Sequence, residues 1–240
     1  MIMKAVKSIL IVSCILALSY YSAHSQVVVP GSDDLLFKLR LNKGINGIED
    51  ETYSSIVGNP YIFRNFRKGK LVVNSGEEFD VNIRYDIYAN EMHLKDNNQI
   101  YAIIHPETVK LIETDSLKFI YSGYVKSLKS PNDNTPDEST YFIEKTDGKC
   151  KLLVTKNMRI QDSEPAKLYQ DAKPAKFILT NDIYYLKLEG KNAVRIRKMS
   201  ELLSLLSDHK ETLKKFISSN KLGIKDLEDL VSIVSYYNNL

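Results

Sequence analysis

The sequence predicts a mainly antiparallel β fold (a meander, curved sheet or half-barrel) followed by a short α-helical C-terminal segment, a β-rich α+β protein. Three observations carry this. From about Tyr61 to Lys198 the chain reads as short runs rich in Val, Ile, Tyr, Phe and Leu, alternating with polar residues and separated by turn signals. No helical period falls between these runs, which argues against crossover βαβ units. After Met199 the apolar residues recur three and four apart, as on a helix face.

The strand candidates follow in order: "GKLVV", "FDVNIRY", "NEMHL", "QIYAII", "TVKLI", "LKFIYSGYV", "TYFIEK", "KCKLLVT", "KFIL", "IYYLKLE" and "AVRIRK". Asp147-Gly148 and Glu189-Gly190-Lys191-Asn192 are the two strong turn signals between them. Two polar stretches interrupt the series. "KSPNDNTPDES" (129–139) reads as a solvated loop, and "QDSEPAKLYQDAKPA" (161–175) as a longer connection holding two prolines. Asp133, Asp137 and Glu138 lack the alternating ligands and turn glycine of a calcium loop.

In the C-terminal part, Leu213, Phe216 and Ile217, then Leu227, Leu230, Val231 and Val234, mark apolar stripes. Asp208 with Glu211 reads as a capping box, and Gly223 separates the last two helices. Three short amphipathic helices are expected over 199–240, packed on one face of the sheet.

Targeting is read at the front of the chain. Lys4 and Lys7 form a basic region, "SILIVSCILAL" (8–18) an apolar run, and Ala23 and Ser25 the small residues before a cut, so residues 1–25 are expected to be a signal peptide and Gln26 the mature start. The apolar run is shorter than the roughly 20 residues a membrane-spanning helix needs. A rival reading is a lipoprotein signal ending at Cys14. The β domain then spans 26–198, with 26–54 an irregular lead-in.

Taking 25 residues from 240 leaves 215, and the net charge falls from +3 to +1 because Lys4 and Lys7 leave and no acid does. A near-neutral surface argues against nucleic acid as a partner. Of the two cysteines, Cys14 leaves with the signal, so Cys150 has no partner for an internal disulfide. In "GKCKLLV" it shares a face with Leu152 and Val154 and reads as a small buried hydrophobe.

The stretch "NIRYDIYANEMHL" (82–94) concentrates the polar chemistry. Val81, Ile83, Tyr85 and Ile87 fall on odd numbers, Met92 and Leu94 on even ones. A two-residue turn at Ala89-Asn90 explains the change. It pairs Ile87 with Met92 and Tyr85 with Leu94 on one face, and Tyr88 with Glu91, Asp86 with His93 and Arg84 with Lys95 on the other. Asp86 opposite His93 is half of a nucleophilic or general-base arrangement, but the sequence places no nucleophile with them, and an exposed Asp/His pair is an ordinary cross-strand contact.

No nucleophile elbow, glycine-rich phosphate loop, paired-histidine zinc helix or cysteine knuckle occurs, so neither a metal nor a cofactor is expected. His93, His105 and His209 lie in different elements without ligand spacing. The catalytic candidates are therefore Asp86 and His93 alone. The clusters "RNFRKGK" and "VRIRK" supply ligand- or anion-binding candidates in Arg64 and Arg67, with Arg84 beside them; solvated strand edges are the plainer account.

The order "GNPYIFRNFRKGKLVV", "IRYDIYANEMHL", "AKFIL", "IYYLKLEGKNAVRIRK" and "LLSLLSDHKETLKKFISSNKLGIKDLEDLVSIVSYYN" resembles a set of small exported proteins of Bacteroidetes-type bacteria, from about Ser55 onward. The resemblance implies an exported, periplasmic or secreted location and transfers neither activity nor site residue. Three function classes fit these observations. One is a non-enzymatic envelope protein holding a lipid or other apolar ligand. The second is an assembly factor binding an envelope protein through its C-terminal helices, and the third a hydrolase-like enzyme using Asp86 and His93.

Overall fold

The computed structural model describes residues 53–96, 99–126 and 136–240. The expectations for the signal peptide, for Cys14, for the first part of the lead-in and for most of the 129–139 loop lie outside these residues.

The strands are β1 (Arg67–Val73), β2 (Glu78–Asp86), β3 (Glu91–Asp96), β4 (Gln99–Ala102), β5 (Val109–Thr114), β6 (Lys118–Val125), β7 (Glu138–Glu144), β8 (Cys150–Thr155), β9 (Met158–Gln161), β10 (Lys176–Leu179), β11 (Ile183–Leu188) and β12 (Ala193–Ile196). The helices are α1 (Met199–Leu205), α2 (Lys210–Asn220) and α3 (Leu227–Asn238). Each strand candidate in the sequence is realised as a strand, and the β-rich fold with C-terminal helices is as expected. Only β9, "MRIQ", is absent from those candidates: Met158 and Ile160 do alternate with Arg159 and Gln161, but over four residues alone.

Ten strands form one sheet in the order β4-β3-β2-β1-β5-β6-β7-β8-β11-β12. Its neighbours pair antiparallel, and one parallel pairing, Ala193 and Val194 of β12 with Tyr124 and Val125 of β6, closes β6, β7, β8, β11 and β12 into a five-stranded barrel. β6 does double duty: its N-terminal half pairs with β5 and its C-terminal half with β12. The first five strands therefore extend from the barrel as an open sheet.

Pleat alternation sorts the barrel residues. Ile120 and Tyr124, Phe142, Leu153, Ile183 and Tyr185, and Ala193 come from all five barrel strands and form one cluster. Phe142, Leu153 and Ala193 are fully buried although the helices pack elsewhere, so these side chains fill the inside of the ring. The rings of Phe142 and Tyr185 lie 4.9 Å apart and those of Tyr124 and Tyr185 5.2 Å, both edge-on. The opposite faces of β8, β11 and β12 carry Cys150, Leu152, Leu186 and Ile196, which the helices cover with Leu202, Leu213, Leu230 and Val234. The open sheet packs its apolar face onto β6 and β7, with Tyr85 5.7 Å from Tyr141.

Asn238, the last residue of α3, joins the helices to the barrel. Its Nδ2 donates to the carbonyls of Asp147 (2.9 Å) and Cys150 (2.8 Å), and its Oδ1 accepts from the Cys150 amide (2.9 Å). Gly148 beneath it has φ +122°, and a Cβ there would come within 2.7 Å of the Asn238 amide nitrogen.

One local expectation is corrected. Asp208 and Glu211 do not form a capping box: a 3-10 turn, Ser207–His209, precedes α2, and Asp208 accepts the Tyr237 hydroxyl at 3.0 Å instead. Gly223 lies between α2 and α3 as expected; the left-handed residue that ends α2 is Lys221 (φ +55°), and Asp226 caps α3 by accepting from the amides of Glu228 and Asp229.

Residues 161–175 connect β9 to β10, as the polar, proline-containing sequence implies, and two isolated bridges tie the connection to itself. β9 and β10 pair in a register that continues through Glu164 with Lys173 to Lys167 with Gln170, a two-stranded arm turning at Leu168-Tyr169. The body holds it at its base, where Val57 donates to Ala175 O and accepts from Phe177 N.

Candidate functional site

β2 and β3 place Arg84, Asp86 and His93 on one face, as pleat alternation requires. The register differs from the one expected. Arg84 opposes His93, Tyr85 opposes Met92 and Asp86 opposes Glu91, a shift of two residues that keeps the faces and changes every partner. The turn spans 87–90 rather than two residues, because of these positions only Asn90 takes a left-handed conformation (φ +57°), where a two-residue hairpin turn of the favoured kind needs two such residues or a leading glycine. Asn90 Oδ1 accepts from the hydroxyls of Tyr85 (2.8 Å) and Thr140 (2.9 Å), so the turn is anchored to β7.

The face expected to be exposed is buried. Arg84 is 7% exposed, Asp86 1% and His93 3%, so nothing reaches them without moving their cover. That cover is the segment preceding β1. The Ile62 amide donates to Tyr85 O and the Ile87 amide to Pro60 O, extending the pairing on that edge of β2 beyond the start of β1. The Tyr61 and Phe66 rings then lie 3.7 Å and 4.2 Å from the Arg84 guanidinium carbon, and Tyr61 meets the His93 ring at 5.9 Å.

The Tyr53 hydroxyl donates to Asp86 Oδ2 (3.0 Å), and the Ala89 amide to Oδ1 (2.9 Å). Burial raises the Asp86 carboxyl above its usual range, against these donors. Burial also lowers His93 to about 4, with Asp86 opposing and Arg84 assisting, and lowers Arg84 to about 10. At neutral pH the imidazole is neutral and both carboxylate oxygens are engaged. This is chemistry suited to clamping the segment preceding β1 over the hairpin.

The other candidates are dispersed. Arg64 is exposed, Arg67 lies 5.0 Å over the Phe63 ring, and only Arg84 joins the buried cluster. An open groove of about 480 Å³ lined by Lys68, Gly69, Asp80, Val81 and Asn82 presents both charge signs. Cys150 is fully buried, and burial pushes its thiol up to about 12, where it is no nucleophile. No group of three His, Cys, Asp or Glu side chains is arranged to hold a metal among the described residues.

Two features were missed in the sequence. Glu144, buried near the barrel end, receives Lys118 Nζ at 2.6 Å and Lys151 Nζ at 2.7 Å. The strand pattern places these residues on one face, but only barrel closure buries the carboxylate. The second is the arm, where Leu168 is 85% and Tyr169 97% exposed. Its only sequence signal was a Leu-Tyr pair inside an otherwise polar stretch.

Fold and site together define a small filled β-barrel extended by an open antiparallel sheet, with a helical cover and a projecting arm. No family model, curated protein or solved structure matches this chain. No helix among the described residues is long and apolar enough to cross a membrane.

Proposed function

We propose that this chain is an exported, non-enzymatic bacterial envelope protein that works by binding other protein surfaces. The observation that carries the reading is the commitment of its interior: barrel side chains fill the ring, the helices spend their apolar stripes on β8, β11 and β12, and the catalytic-type residues clamp the segment preceding β1. A carrier would require apolar volume that side chains leave open. A hydrolase would require Asp86 and His93 to be reachable. The contact surface then lies outside, on the arm and its base, rather than on the C-terminal helices.

Mass spectrometry of the purified full-length gene product, native and then denatured, tests this. The expected result is a chain beginning at Gln26 that sheds no small molecule on denaturation. A released lipid or metabolite would overturn surface binding in favour of an enclosed carrier, and an unprocessed N-terminus recovered from the cytoplasm would overturn export.

A further inference from the structure

The large exposed apolar side chains of the described residues are unevenly placed. Of Val57, Tyr88, Ile104, Leu168, Tyr169, Leu179 and Leu240, all but Ile104 and Leu240 lie at the tip of the arm or around its base. At the base, Tyr88 packs edge-on against Phe177 of β10 at 5.5 Å, Leu179 shares Phe177's side of that strand, and Val57 is bridged to Lys176. At the tip, Leu168 and Tyr169 form the two-residue turn between Lys167 and Gln170. Tyr169 has φ +66°, a conformation for which turns ordinarily take Gly or Asn. Its ring, 97% exposed, gains no packing in return. The turn therefore carries residues poor for turning and good for contact.

We infer that the arm is a dimerisation element: two copies of this chain associate about a twofold axis with their arms antiparallel, so that Leu168 and Tyr169 of each copy cover Val57, Tyr88 and Leu179 of the other. The arm rises roughly 20–30 Å from base to tip at about 3.3 Å per residue. Antiparallel arms overlapping over that length bring each tip beside the other's base, a closed and self-complementary arrangement. Taking about 150–250 Å² for a large side chain, the five expose on the order of 600 Å² per copy, and the polar flanks of the arm supply the rest of the roughly 800 Å² per partner that a stable interface buries.

Other occupants fit less well. Pro165 and Pro174 lie outside the paired positions of the arm and remove outward-facing amides, which discourages strand addition along its edges. Near the tip Glu164 and Asp171 balance Lys167 and Lys173, so no cationic excess draws the tip to an anionic lipid surface. Two side chains without that second signal give only marginal membrane binding.

Sedimentation equilibrium of the full chain tests the inference, with two variants. Leu168→Ser with Tyr169→Gly alters the tip and supplies the glycine that the left-handed position favours. Val57→Thr with Leu179→Ser alters the base. Wild type is expected to dimerise in the micromolar range, and each variant to raise the dissociation constant at least tenfold with an unchanged melting temperature, measured where the chain is monomeric. An equimolar mixture of the variants should regain dimer, since a heterodimer keeps one intact tip-to-base contact. A wild type that stays monomeric up to about 100 μM, well beyond the range of a standard-sized interface, overturns the proposal. So does a tip variant that dimerises like wild type, or a mixture no more dimeric than its components. The outcome is separate from the mass-spectrometric test of function, because a carrier or an enzyme could dimerise equally and a surface-binding protein could fail to.

Discussion

Tyr61 and Phe66 sandwich the Arg84 guanidinium, and Tyr53 and the Ala89 amide hold the Asp86 carboxylate. A buried cation and anion on one strand face are costly unless covered and hydrogen-bonded, and the segment preceding β1 supplies the cover. The pH dependence follows from His93. Its folded value of about 4 lies below its ordinary 6.5, so between those values the unfolded chain binds more protons and stability falls as pH falls. The loss is at most about 3 kcal/mol for a shift of this size. Asp86, whose folded value is raised, works the other way: in its own window the folded state holds the proton, and acid returns stability. Urea unfolding of His93→Leu from pH 7 to pH 4 should show a shallower loss of stability than wild type. Parallel pH profiles would show that His93 does not titrate as a buried neutral group.

At the scale of elements, the junction of α3 with the β7–β8 turn rests on one side chain. Asn238 gives two hydrogen bonds and accepts one across that junction. Asn238→Ala leaves the Cys150 amide without its acceptor and is expected to cost about 1–3 kcal/mol. Asn238→Asp keeps the acceptor and loses both donors, so it should fall between wild type and alanine. Thermal unfolding of the three proteins checks the order, and an alanine variant as stable as wild type would show that the helix packs without this tie. The arm shows how element type can be hidden from sequence reading. Prolines and polar residues between β9 and β10 carry the composition of a loop, yet the pairing of Glu164 with Lys173 and of Lys167 with Gln170 is made by backbone groups that composition does not report.

For the whole molecule, barrel closure and helical cover are one cooperative arrangement, since Leu152, Leu186 and Ile196 are barrel side chains buried by helix residues. Deleting residues 199–240 exposes that surface. The expected product is insoluble or lacks a cooperative melt; a soluble truncated chain with a sharp transition would mean that the barrel stands alone. Its circular dichroism and melting curve decide between them.

The sequence by itself determined the alternating β runs, the turns at Gly148 and Gly190, the helical C-terminus and the burial of Cys150, because pleat and helix periods are local properties written in residue order. It also placed Arg84, Asp86 and His93 on one face, since a register slip of two residues preserves parity. Only the tertiary structure decided that β12 returns beside β6 to close a barrel, that Asp86 faces Glu91 rather than His93, and that the segment preceding β1 buries the cluster. Those outcomes depend on which distant segments meet, and pairing between segments far apart in the chain leaves no mark on the local pattern of either one.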